Sequence, residues 1–183
     1  MLANLRALFG VIVDIILLRR GPEQLPASPA LLVVVAVLSA VESSFMALLA
    51  PVSLAGVVLQ SLVGTAVLLL WFHFALVLAG KRERFTQMMT AIIGVNVLFI
   101  PVVLPLYAAL LPYIGKADPK VPPPAALSII TLLIGFWALF VEIRIVRAAF
   151  ECPWIGAFLL VAGEFFAAVI IFALLFGAAS NAV

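Results

Sequence analysis

The chain has 183 residues; 67% are hydrophobic and only 10% charged, as 10 basic and 8 acidic side chains. A soluble domain carries about 25% charged residues and roughly half apolar ones, so a water-soluble monomer is excluded and the apolar excess must face lipid. The net charge is only +2 and its basic residues form no stripe, which argues against a nucleic-acid partner; one cysteine and one histidine exclude an internal disulfide and any Cys/His zinc spacing.

Residues 1–20 form a short apolar run broken by Arg6 and Asp14. Arg6, Gly10 and Asp14 follow at i, i+4, i+8 and share one helix stripe, with leucine and isoleucine on most of the rest. This predicts an amphipathic helix lying flat in the inner interface; a short sixth span is the alternative. Arg19 and Arg20 after the apolar run, with no A-x-A-like site, argue against a cleavable signal. Residues 21–28 read as a linker, with Ser28 as N-cap and Pro29 at the first helical position.

Residues 29–183 read as a transmembrane domain of five spans, about 29–50, 56–79, 86–110, 125–147 and 153–178, each long enough for a ~20-residue crossing. Helices are required because lipid offers no partner to an open strand edge. Pro101 and Pro105 predict a kink in the third span. The fold class is thus all-α, a membrane helical bundle of five spans with an N-terminal interfacial helix.

The loops set the orientation. With the N-terminus inside, Arg6, Arg19, Arg20, Lys81, Arg82, Arg84, Arg144 and Arg147 are cytoplasmic, leaving only Lys116 and Lys120 outside. The positive-inside rule therefore predicts N-in and C-out. Arg144 and Arg147 are expected to snorkel to the inner headgroups, and Tyr107, Tyr113 and Trp154 to anchor at interfaces. Cys152 at the inner boundary is read as a plain small residue, acylation being the alternative. Arg19, Arg20, Lys81, Arg82, Arg84, Arg144 and Arg147 form a cytoplasmic basic face that orients the chain or meets anionic lipid or a protein partner.

Ionisable groups inside a span are costly and turn towards the bundle or a cavity. The candidates are Glu42, His73, Glu142 and Glu164, with Asn96 and Gln60 as neutral companions. Counted at ~1.5 Å per residue, Glu42, Asn96 and Glu164 lie near the midplane, and His73 and Glu142 a layer closer to the cytoplasm. Ala157 and Ala168 share the face of Glu164, and Ala66 and Gly80 that of His73, so both are expected to point at a neighbouring helix. The first span carries small stripes, Ala36-Ala40-Ser44 and Ser39-Ser43-Ala47. Two readings stay open. These groups are packing glue, with hydrogen bonds worth about 0.6–2 kcal/mol, or Glu42 and Glu164 handle protons or cations with His73 as relay.

No zinc-protease, nucleophile-elbow, Walker A or dinucleotide motif occurs, so no catalytic, cofactor or metal site is expected. The order of features resembles the bacterial branch of the Yip1-domain family of small five-span membrane proteins. The resemblance is carried by Leu18-Arg19-Arg20-Gly21-Pro22-Glu23, by Trp71-Phe72-His73-Phe74 before the basic turn and Phe85-Thr86-Gln87, and by Gly135-Phe136-Trp137 through Val141-Glu142-Ile143-Arg144. The stretch from Arg20 to Leu31 also resembles that of small proteobacterial inner-membrane proteins. The resemblance implies a five-span fold in a bacterial inner membrane. The first functional expectation is a non-enzymatic scaffold acting through helix packing and its basic cytoplasmic face, with a membrane or cytosolic protein as partner and a homo-oligomer as a further option. The alternative is a small transporter, or the substrate-binding membrane subunit of one, using Glu42 and Glu164. The transporter reading requires a cavity at these glutamates; the scaffold requires a solid core.

Overall fold

Lipid leaves the backbone no partners but its own, and the chain is correspondingly helical. A computed structural model describes the backbone of residues 2–49, 54–114 and 122–180 and the side chains of 6, 8–42, 55–113 and 122–176. Six helices run through them: α1 Leu2–Ile16, α2 Pro29–Leu49, α3 Leu54–Leu78, α4 Phe85–Ile114, α5 Ala125–Phe150 and α6 Trp154–Ser180. No strand occurs among the described residues.

Four stretches are long and apolar enough to cross a bilayer: Ala55–Leu78, Arg82–Tyr113, Ala125–Phe150 and Trp154–Phe176. On α2 the described apolar part is shorter, Pro29–Glu42. The outer surfaces suit lipid: Leu132, Leu133 and Phe136 on α5 and Phe165, Phe166 and Ile170 on α6 are all exposed. Lys116, Asp118 and Lys120, and the side chains of Ser43, Ser44 and Ala47, lie outside the described residues.

Local signals explain the helix ends. The Leu31 N–H donates to Ser28 Oγ at 3.4 Å, the expected N-cap of α2. Past α3, Gly80 takes φ +68°, with the Lys81 N–H on Leu76 O and the Gly80 N–H on Val77 O, a Schellman ending that only glycine adopts without strain. Leu18 (φ 62°) and Glu151 (φ 49°) take the same left-handed conformation after α1 and α5. In α4, Pro101, Pro105 and Pro112 sit inside a helix that stays continuous over 30 residues, so the expected kink does not interrupt it.

Helix α1 differs from the expectation of a helix laid on lipid by its apolar face. Ile12 and Ile15 are buried, and Leu8, Val11 and Ile16 pack against the core, so much of that face is turned into α4 and α5. Phe9 and Leu17 remain exposed. Asp14 closes the helix by holding Arg20 at 3.0 Å and Arg19 at 4.0 Å.

The remaining five helices close a ring. Chain neighbours α2 and α3, α4 and α5, and α5 and α6 touch, while α2 on α4 and α3 on α6 complete the circuit. The tight core is confined to the half of the ring that carries the α3–α4 and α5–α6 turns. Phe72 and Leu76 near the end of α3, Met88 to Val95 near the start of α4, and Val141, Ile145, Val146 and Ala149 near the end of α5 are all buried. Beyond Val97, α4 contributes no buried side chain among the described residues. Since lipid is as apolar as leucine, this half is held by dispersion and close packing more than by exclusion from water.

Candidate functional site

A polar cavity of about 300 Å³ lies inside the ring, and all five ring helices contribute to it. Its polar lining is Ser39 from α2, Ser61 and Thr65 from α3, Asn96 from α4, Glu142 from α5 and Glu164 from α6. Ala36, Gly64, Leu68 and Ile93 fill the gaps between them. Counted from the helix ends at the α3–α4 and α5–α6 turns, Glu142 lies about 12 Å deep, Glu164 about 15 Å and Asn96 about 16 Å, close to the middle of a ~30 Å hydrocarbon layer.

The small residues make this room. Ala36, Ser39 and Gly64 present little bulk, so α2 and α3 enclose polar space instead of filling it. The wall between α3 and α6 is the opposite. Trp71 Nε1–H donates to Leu160 O at 3.0 Å, and its ring lies over Gly163, where an added Cβ would stand 2.6 Å from Cζ2. That contact positions the turn of α6 carrying Glu164.

The lining holds two carboxyls and no lysine, arginine or histidine. Such a site attracts positive charge, with hydroxyl and amide oxygens to complete its hydrogen bonding. Among the described residues no three of His, Cys, Asp and Glu gather as a metal site.

The residues singled out in the sequence are only partly brought together. Asn96, Glu142 and Glu164 share the cavity. Glu42 lies one turn beyond Ser39 on α2 and outside the lining; its Oε2 is buried with no hydrogen-bond partner among the described residues. His73 is exposed on α3, with its ring edge-on to Phe85 at 5.1 Å, and does not face the cavity. Gln60 is adjacent in sequence to Ser61 but is not part of the lining. Ser61 and Thr65 were missed, although Ser61-x-x-x-Thr65 is a polar i, i+4 pair in an otherwise apolar span.

The basic residues divide by task. Lys81 Nζ donates to Phe150 O (2.8 Å) and Glu151 Oε2 (2.7 Å); Arg84 reaches Glu151 Oε1 (2.6 Å) and the carbonyls of Ala148 and Ala149. The turn between α3 and α4 thus caps the free carbonyls at the end of α5, where positive charge is favoured. Hydrogen bonds from Lys81 and then Arg84, reinforced by their charges, hold the Glu151 carboxyl below the usual carboxylate range. This carboxylate explains a non-glycine residue at a left-handed position: the two bonds hold it there. The sequence showed these charges only as loop residues. Arg19 and Arg20 pair with Asp14, Arg82 is exposed, and Arg147 stacks its guanidinium 4.9 Å over Trp154. Gln87 Nε2 ties the linker to α4 through Leu25 O at 2.7 Å.

No family model, curated protein or solved structure matches the chain.

Proposed function

We propose that the protein is a small transporter, or a substrate-binding membrane subunit, that takes a proton or small cation into the cavity between Glu142 and Glu164. One observation carries this reading: two glutamates from different helices line one intramembrane cavity with no basic residue beside them. Polar residues kept as glue pack against partners. Here Glu142 and Glu164 border open space, which speaks for transport over the scaffold.

In this reading α2, 21 residues long, is a fifth crossing, and α1 rests against the bundle at the inner boundary. The basic residues at the α1, α3 and α5 ends support a cytoplasmic N-terminus in a bacterial inner membrane. The cytoplasmic half, closely packed and stapled by Glu151, acts as the fixed base beneath the site. The looser outer half supplies the movement that access needs. The Yip1-like layout accommodates the same five crossings.

The test is flux in proteoliposomes, with protons, sodium, potassium and methylammonium as probes. Flux of at least one probe is expected, lost in Glu142→Gln and in Glu164→Gln but kept in the surface variant Glu83→Gln. A folded wild-type protein that passes none of them, or glutamine variants with unchanged flux, overturns the proposal.

A further inference from the structure

A second cavity, of about 460 Å³, opens beside the end of α5, between that helix and the linker after α1. Its chemistry is opposite to that of the ring cavity. Arg20, Arg144 and Arg147 border it, with Glu23 and Glu151. Glu151 is already bound by Lys81 and Arg84, and Arg20 meets Asp14 through Nε. Among the described residues no carboxylate lies within 4.0 Å of Arg144 or Arg147.

Arg144 is the residue that needs an explanation. It is half-buried and stands six residues before the end of α5, roughly 9 Å along the helix from Phe150. A guanidinium at that depth is costly without an anion. Arg147 is one turn nearer the surface, oriented by the Trp154 ring. Its floor is closed by Ile15, Val141 and Ile145, all buried.

Unpaired guanidinium groups in a cavity at the end of an apolar helix match one occupant, the anionic headgroup of a lipid. We infer that this cavity binds the phosphate headgroup of an anionic glycerophospholipid from the cytoplasmic leaflet, with Arg144 and Arg147 on the phosphate and the acyl chains left in the surrounding bilayer. Guanidinium forks suit phosphate oxygens geometrically as well as by charge. The cavity's place at the end of α5, a helix long and apolar enough to cross a bilayer, is what favours a lipid headgroup over a free phosphate. The site takes in residues of the linker after α1 and of α5, so a bound lipid ties that linker to the bundle. This inference rests on the end of α5 lying at a membrane surface and is independent of the ring cavity's cargo.

The test uses the full-length protein in mild detergent and measures binding of phosphatidylglycerol, phosphatidylcholine, the deacylated headgroup glycerophosphoglycerol and inorganic phosphate by native mass spectrometry. Phosphatidylglycerol is expected to bind in preference to all three. Arg144→Gln and Arg147→Gln each weaken it about tenfold or more, as loss of a charge-assisted hydrogen bond to phosphate would. Arg82→Gln removes the same charge from an exposed position outside the cavity and leaves binding unchanged. Arg144→Lys keeps the charge and gives intermediate binding, which guards against a variant that fails to fold. Equal losses in Arg82→Gln and Arg144→Gln would overturn the site in favour of general surface charge. Phosphatidylcholine binding as tightly as phosphatidylglycerol would overturn it as well, and so would inorganic phosphate doing so, which would assign the site to a free anion.

Discussion

Replacing Gly163 by alanine puts a methyl 2.6 Å from Cζ2 and 3.0 Å from Cη2 of Trp71, a rigid ring with no flexible end to move aside. The ring is held by its own hydrogen bond to Leu160 O, so it cannot rotate away without losing that bond. Overpacking of this kind costs about 1–3 kcal/mol, and the displaced hydrogen bond adds up to about 1 kcal/mol. In water alanine would recover about 1 kcal/mol of helix propensity. In a membrane the helix persists when the bundle comes apart, so that gain largely cancels. The expected net loss is therefore about 1–4 kcal/mol. Heat- or dodecyl-sulfate-driven unfolding in micelles measures it. The same substitution in the Trp71→Phe background, where the offending ring atoms are gone, should cost little, giving a coupling of about 0.5–3 kcal/mol. A Gly163→Ala protein as stable as wild type, or an equal cost in both backgrounds, would refute the close contact between α3 and α6.

Two other outcomes follow from the rim formed by the α3–α4 and α5–α6 turns. The Glu151 carboxyl is held below its ordinary value of 4.5, so its contribution to stability is fully present above that pH and is lost as pH falls through the depressed value. Melting curves against pH should show an acid loss that Glu151→Gln reduces; an identical acid limb in the variant would contradict the staple. Glu151→Gly relaxes the left-handed backbone yet removes both ion pairs, and it should share the flattened profile. Gln87→Ala frees the linker from α4 at a cost of about 1 kcal/mol; limited proteolysis within residues 20–28 should speed up, and an unchanged cleavage rate would show that the bond to Leu25 does not hold the linker.

Much of the architecture was legible because lipid imposes simple rules. Apolar runs of about 20 residues and the turns between them mark the helices, and Ser28 marked the start of α2. Cost in lipid also drew attention to Asn96, Glu142 and Glu164 before their meeting was known. The partnership was not legible. Helix counting gave depth, yet Glu164 shares its cavity with Glu142 and not with Glu42. Phase predicted a neighbouring helix behind His73, whereas the ring stands exposed beside Phe85. The reason is visible in α3 and α5, which are apolar nearly all round in sequence. A helix without a polar face gives no signal of which side meets its neighbour.

The scarcity of charge determined, from sequence alone, that the chain belongs in a membrane and that its ionisable groups within the spans are few. Tertiary structure alone decided what those few groups meet. Van der Waals fit between helices chooses the contacts, as where Trp71 lies over Gly163, and small residues decide whether facing helices close or leave space, as at Gly64 and Ala36. Ring closure through α2 on α4 and α3 on α6 joins residues far apart in the chain, and no local pattern encodes that closure. The charges at the helix ends behave the same way: Lys81 and Arg84 read as a loop, but the free carbonyls they cap belong to a helix some 65 residues away.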